Sequence, residues 1–142
     1  MKLDFAFLAD AAQTTPDGKF SVIGGGLNVI SVSQFPALHS SLSMLIKLQL
    51  TQAETGREHD LRVELLNPLN ATAMPPLGAK FTPTVLSSQS DLPVTAQFAI
   101  TLTGLIFEMP GKYTFRLSVD NLPIGEIPLY TAKQPPATSS LN

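Results

Sequence analysis

Apolar residues occupy every second position along four segments of the chain, and most of the positions between them are polar. The segments are residues 42–50, 61–65, 94–102 and 113–119. A period of two places the apolar side chains on one face of a β-strand, whereas a helix needs apolar residues three and four positions apart. The pattern therefore predicts antiparallel strands, each with one buried face and one solvated face.

Turn-forming residues separate these segments. Thr15-Pro16-Asp17-Gly18 has the proline and glycine of a tight turn, and Pro110-Gly111 leads directly into the strand near Tyr113. The proline-rich stretch between Asn67 and Pro93 predicts a long crossover. Further short strands are predicted at residues 3–10, at 127–130, and at 19–23, the last continuing through the glycines 24–26 into residues 27–32. The crossover allows one more short strand near residues 80–85.

Seven or eight short strands with frequent turns predict an all-β fold, an antiparallel β-sandwich. A partly open β-barrel is the alternative architecture. The length of 142 residues suits one domain, which we expect to span residues 1–133. Residues 134–142, with two prolines and a pair of serines, are expected to form a flexible C-terminal tail.

The strands at residues 42–50 and 61–66 are predicted to form a hairpin with Leu50 opposite Leu61. That register places Leu45 beside Leu66 on the face that should be wet. A contiguous leucine pair predicts a covered surface, which meets a partner or a second copy unless the crossover folds over it. The run Gly24-Gly25-Gly26 predicts a kink in the chain, and its exposed backbone is a second candidate interaction surface.

Charge and cysteine content exclude several functions. Charged residues make up only 14% of the chain, and the net charge is −2, so no basic surface predicts nucleic-acid binding. The absence of cysteine excludes disulfides, thiol catalysis and thiolate metal sites. No apolar stretch approaches the length of a membrane span, and a cytoplasmic location is the default expectation.

Candidates for catalysis and metal binding are few. The only histidines are His39 and His59, and the neighbours of His59 predict a solvated hairpin end rather than a site. A small hydrolase using His59 and Asp60 is the least favoured function. The serine pairs at 40–41 and 87–88 are interpreted as loop. Aspartates that could bind calcium occur singly in turns, at Asp17, Asp60, Asp91 and Asp120. We therefore assign no catalytic residue, cofactor or metal ligand.

The sequence carries two resemblances to known proteins. The segment Pro110-Gly111-Lys112-Tyr113-Thr114-Phe115 resembles the entry into a late strand of immunoglobulin-like and C2-like sandwiches. There the tyrosine is often a corner residue whose hydroxyl bonds back to a loop. Several ordered segments resemble an uncharacterised family of short bacterial single-domain proteins, known only as a domain of unknown function. They are Leu3–Asp10, Thr15–Lys19, Ile23–Gly26, Phe35–Ala37, Gly56–His59 and Pro110–Tyr113 with the Asp120 turn.

That family resemblance implies a free-standing bacterial domain and transfers no activity to any residue. The function we expect is a non-catalytic protein-interaction or structural module that binds another protein or a second copy of itself. The alternative is a ligand-binding sandwich of the C2-like or carbohydrate-binding type. It is weakened because the chain has no tryptophan and only two tyrosines for a sugar platform.

Overall fold

The computed structural model describes residues 1–85 and 91–135, which form two packed β-sheets and one short 3-10 turn at Gln52–Glu54. The predicted all-β sandwich is confirmed. The strands are β1 (Lys2–Thr14), β2 (Phe20–Gly25), β3 (Val29–Val32), β4 (Ala37–Leu50), β5 (His59–Leu66), β6 (Leu77–Phe81), β7 (Val94–Phe107), β8 (Gly111–Val119) and β9 (Leu122–Lys133).

The two sheets differ in strand order and direction, and one of them curls into a half-barrel. The first sheet has the order β2-β1-β4-β7 and is antiparallel throughout. The second sheet has the order β3-β9-β8-β5-β6, in which only the β3–β9 pair is parallel. The chain changes sheet after β2, β3, β4, β6 and β7, so most neighbours in a sheet are distant in sequence.

The inner faces of both sheets build one apolar core. Side chains from β4, β5 and β8 are its centre, and each is at most 3% exposed: Leu42, Met44, Ile46, Leu48, Leu61, Val63, Leu65, Tyr113, Phe115, Leu117 and Val119. Burial of one such side chain contributes about 1.5–3 kcal/mol of transfer free energy. In β8 the predicted alternation is confirmed, because Phe115, Leu117 and Val119 are buried while Arg116 is exposed.

Tyr113 fixes the turn that precedes β8. Its hydroxyl donates a hydrogen bond of 3.0 Å to the carbonyl oxygen of Met109, and the hydroxyl of Thr131 donates to the same oxygen at 3.1 Å. The bond from Tyr113 back to this loop is the one expected of a corner tyrosine. Thr131 is buried, and β9 continues to Lys133, beyond the strand predicted at residues 127–130. The domain boundary at residue 133 stays a prediction.

The predicted hairpin between residues 42–50 and 61–66 is wrong. β4 pairs with β1 and β7 in the first sheet, whereas β5 pairs with β6 and β8 in the second. Leu45 lies between Phe7 and Ala99 on the face opposite the main core and is 0% exposed. Leu66 is also buried, so these two leucines form no exposed pair. Alternation specifies the face of a strand, but it does not specify the neighbouring strand.

The three glycines mark a change of sheet. β2 ends at Gly25, and β3 begins at Val29 in the opposite sheet, so the predicted kink does not continue one strand. Gly24 has a φ of +65°, and a Cβ there would collide with the carboxylate of Asp10. The ring of Phe20, on β2, lies edge-on to the ring of Phe5 at 6.1 Å between centroids.

Candidate functional site

A buried histidine lies at the start of β5. His59 is only 2% exposed, so the predicted solvated hairpin end is wrong. Its Nδ1 lies 2.6 Å from Oδ2 of Asp120, and its Nε2 lies 2.7 Å from the carbonyl oxygen of Glu54. Both partners are acceptors, so a ring that donates to both carries two N–H groups and a positive charge. The Asp120 carboxylate first, and then the Glu54 carbonyl, raise the pKa of His59.

Asp120 reaches this histidine from the turn between β8 and β9. Asp120 and Asn121 have φ values of +51° and +66°, which suit a two-residue hairpin turn. The second carboxylate oxygen of Asp120 accepts the backbone N–H of Asp60 at 2.9 Å. The hydrogen bond from His59 is the main cause that lowers the pKa of Asp120. This turn aspartate therefore bonds to the neighbouring strand β5.

Glu54 connects the same cluster to the amino terminus. Its carboxylate lies 2.8 Å from the ammonium of Met1 and accepts the backbone N–H of Thr51 at 2.9 Å. The N-terminal ammonium first, and then the Thr51 amide, lower the pKa of Glu54 to about 2. His59, Asp120 and Glu54 form what we term the clasp. It joins β5 to the β8–β9 turn and to the 3-10 turn.

A depression of about 580 Å³, lined by both charged and apolar side chains, lies on the outer face of the second sheet. Two arginine–glutamate pairs line it: Arg62 with Glu64 at 2.9 Å, and Arg116 with Glu126 at 3.6 Å. The charges balance, and the side chains are one-third to two-thirds exposed. Exposed pairs of this kind contribute about 0–1 kcal/mol to stability. The depression offers both donors and acceptors to a small polar molecule.

The free edge of β7 is the most unusual surface of the molecule. This strand has 14 residues and pairs with β4 along one edge, and no strand in the described ranges pairs with the other. Residues 94–107 contain no charged residue and no proline. Natural edge strands are normally protected by charge, proline, bulges or shortness. The other three edges have only four to six residues each, and β6 also carries Lys80.

The core-facing side of β7 is incompletely covered. Ala96, Phe98 and Ile100 are half-buried, whereas their cross-strand partners in β4 are 0% exposed. On the opposite face, Oε1 of Gln97 is buried and has no hydrogen-bond partner in the described part of the chain. A buried polar atom without a partner costs about 1–3 kcal/mol. Both features indicate a strand that has room for a neighbour.

The far end of β7 is apolar. Ile106 and its cross-strand partner Leu38 are 55% and 70% exposed. A cavity of about 410 Å³ lies between residues 101–106 and the segment 73–77, where Met74 and Leu77 contribute apolar lining. Exposed apolar residues therefore extend beyond the strand edge itself.

Most residues singled out from the sequence lie away from this edge. Leu45 is buried beside Ala99 of β7, Leu66 is buried in the other sheet, and Gly24, Gly25 and Gly26 are exposed at the change of sheet. An interaction through these glycines stays a prediction.

The remaining chemical candidates are dispersed. His39 is half-buried within β4, which also contains Ser40 and Ser41, predicted as loop. Ser87 and Ser88 lie outside the described residues. Across residues 1–85 and 91–135, no three acidic or histidine side chains converge as metal ligands. No helix in these ranges has the length and apolar character to cross a membrane.

Neither the clasp nor the β7 edge is among the sites predicted from the sequence. The charge-free run at residues 94–107 is visible in the sequence and is the signal that could have directed attention to β7. The clasp has no comparable signal, because His59 and Asp120 are 61 residues apart.

The fold and these surfaces define a nine-stranded β-sandwich domain, within the described residues, that carries an unprotected edge strand. The profile of a family of unknown function, DUF6941, matches residues 4–132 of the chain. The protein belongs to this family. A search of curated proteins gave no match.

Proposed function

We propose that this domain is a non-catalytic protein-interaction module whose contact surface is the free edge of β7. The observation that carries the proposal is a 14-residue edge strand without a charge or a proline. Such an edge presents a row of unpaired backbone N–H and C=O groups to a strand of another chain. Strand addition of this kind is a common mode of protein recognition.

The side chains along β7 support strand addition. Thr95, Thr101 and Thr103 are exposed, and threonine pairs well across antiparallel strands. A strand added beside β7 would place its own side chains next to the half-buried Phe98 and Ile100 and cover the surface that they still expose. Backbone hydrogen bonds would supply affinity, and these side chains would supply specificity.

A non-catalytic role is part of this proposal. Both ring nitrogens of His59 are engaged, one by Asp120 and one by Glu54, which leaves neither nitrogen to act as a base toward a substrate. The clasp is therefore interpreted as a structural device. A cytoplasmic location also remains a proposal, and the absence of cysteine is compatible with it.

The test compares matched lysine variants as baits. Thr101→Lys places a charge on the exposed side of β7, whereas Thr14→Lys makes the same change at an exposed strand residue of β1. Each bait is incubated with a lysate of the source cells, and captured chains, including the protein itself, are quantified by mass spectrometry. Circular dichroism confirms that both variants are folded.

We expect wild type and Thr14→Lys to capture the same chains, and Thr101→Lys to lose at least one of them. A lysine within an edge strand opposes strand addition because its charge would have to enter the new sheet. An identical captured set for all three baits would contradict the proposed role of β7.

The ligand-binding alternative is supported by the two arginine–glutamate pairs in the depression on the second sheet. Its alternating arginines and glutamates suit a small molecule that carries both acidic and basic groups. Thermal-shift screening with amino acids and similar zwitterions tests this function, with Arg116→Gln as the variant and Lys112→Gln, on the same strand, as the control. A stabilising ligand whose effect survives Arg116→Gln would contradict binding at this depression.

A further inference from the structure

We propose that the partner at the β7 edge is a second copy of this chain, paired antiparallel about a two-fold axis at Ala99. This inference rests on the proposed function, because it requires the free edge of β7 to be the contact surface. The two first sheets would then join into one continuous eight-stranded sheet, twice the four strands of a single copy.

The register follows from the faces of the strand. Residues directly opposite each other in an antiparallel pair lie on the same face of the sheet. If the two cores are to lie on the same side, core-facing residues of one copy must oppose core-facing residues of the other. Two residues that pair must then both have even numbers or both have odd numbers, because alternate residues of a strand share a face. The two-fold axis therefore lies at a residue that pairs with its own copy, and not between two residues. Gly104, with a φ of +67°, interrupts the alternation, and the regular strand before it is centred between Phe98 and Ala99.

An axis at Ala99 gives favourable pairs on both faces. On the core side, Phe98 of one copy lies opposite Ile100 of the other, an aromatic residue against a β-branched one. Thr95 and Thr103 lie opposite each other on the outer side. Pairs of both kinds stabilise antiparallel strands.

The same register supplies a partner for the unpaired buried atom of β7. Gln97 lies opposite Thr101 of the second copy, with Cβ atoms about 4.5–5.5 Å apart. The hydroxyl of Thr101 can then donate a hydrogen bond to Oε1 of Gln97, which has no partner in the described part of a single chain. The symmetry makes this bond twice.

The charge distribution favours a second copy as the occupant. In a two-fold pair the two strands are identical, so any charged residue would face a second residue of the same sign on the opposing strand. A strand without charged residues avoids this repulsion wherever the axis lies. Residues 94–107 meet this condition completely. A charged partner strand of another protein would find no complementary charge on β7.

Cysteine cross-linking tests the register, because the chain contains no cysteine of its own. Ala99→Cys places two thiols opposite each other at the axis, within the Cα separation of about 4.4–6.8 Å that a disulfide requires. Thr101→Cys is the matched control on the same strand. In the dimer the two substituted positions are separated by four residues along the strand, or roughly 14 Å, which is too far for a disulfide.

We expect mild oxidation to link Ala99→Cys into a dimer at least roughly tenfold faster than Thr101→Cys, since only the first pair has disulfide geometry. Faster linkage of Thr101→Cys would overturn the assigned axis. Sedimentation velocity of the unmodified chain gives the oligomeric state directly. A dimer that Thr101→Lys dissociates and Thr14→Lys does not supports the inference.

The failure of this inference is distinguishable from the failure of the proposed function. A wild-type monomer at all accessible concentrations overturns the second copy as partner, while edge-dependent capture from a lysate would still support the β7 contact surface. A wild-type dimer that Thr101→Lys leaves intact associates through another surface and overturns the inference. Capture that is also insensitive to Thr101→Lys contradicts the proposed function itself.

Discussion

The clasp makes a prediction that depends on pH. Asp120→Asn removes the carboxylate charge that His59 faces but keeps a residue that tolerates the positive φ of this turn. The asparagine oxygen can still accept the backbone N–H of Asp60. The substitution therefore isolates the charged hydrogen bond between Asp120 and His59 from the geometry of the turn.

The expected loss of stability follows from how deeply the side chains of His59 and Asp120 are buried. A hydrogen bond to a charged group contributes about 1.5–3 kcal/mol. His59 is 2% exposed, but the side chain of Asp120 is 46% exposed, so solvent screens part of the interaction. We expect Asp120→Asn to lower the free energy of unfolding by about 1–2 kcal/mol, which corresponds to a decrease of roughly 3–6 °C in Tm.

The pH dependence has a definite sign. The pKa of His59 is raised from its ordinary 6.5, so its contribution is fully present below 6.5 and is lost as pH rises through the folded-state value. The pKa of Asp120 is lowered from its ordinary 3.8, so its contribution is present above 3.8 and is lost as pH falls through the folded-state value. The clasp is therefore most stabilising between these two ordinary values.

Urea denaturation at about pH 5.5 and about pH 9 measures both effects. Asp60→Asn is the matched control, because it removes a neighbouring exposed carboxylate that is not part of the clasp. We expect Asp120→Asn to have a clearly lower free energy of unfolding than the control at the lower pH. The difference in free energy between the two variants should become smaller at the higher pH. A difference in free energy of unfolding that is the same at both pH values, or absent at both, would refute the assignment of a charged His59.

Two further predictions concern the fold. Phe115→Ala should lower the free energy of unfolding by about 3–5 kcal/mol because it leaves a cavity in the core, whereas Arg116→Ala should stay within about 0.5 kcal/mol; equal urea midpoints would contradict the strand assignment. Gly24→Ala should cost at least about 1 kcal/mol more than Gly26→Ala, because both have positive φ but only Gly24 has the Asp10 carboxylate where its Cβ would lie. Equal losses for the two glycine variants would show that the contact with Asp10 is relieved without cost.

The fold class could be predicted from local sequence, whereas the strand pairing could not. Alternation at residues 94–102 and 113–119 identifies strands and their buried faces because it reports the environment of each side chain. The partners of β4 depend on which elements lie on either side of it, and that information is absent from its own alternation. Leu45 illustrates the difference, since it is 0% exposed between Phe7 of β1 and Ala99 of β7, neither of which its own segment identifies.

The clasp and the β7 edge were beyond local inference for a related reason. His59 has charged neighbours in sequence, yet it is buried. Asp120 reaches it from the β8–β9 turn, and Glu54 reaches it from the 3-10 turn that precedes β5. The absence of charge in β7 acquires its meaning only once the sheet order shows that β7 lies at an edge. The local pattern predicts the buried face of each strand, whereas the order of the strands in a sheet determines which strand has an unpaired edge.

Residue-resolved amide hydrogen exchange of β7 tests the pairing of its free edge most directly. The relevant groups are the N–H groups of alternate β7 residues that point away from β4, measured in wild type and in Thr101→Lys over a range of concentrations. We expect these amides to be protected in wild type, increasingly so at higher concentration, and Thr101→Lys to abolish the protection. Exchange at the rate of unstructured peptide in both proteins at every concentration would contradict the pairing of β7 with a second copy.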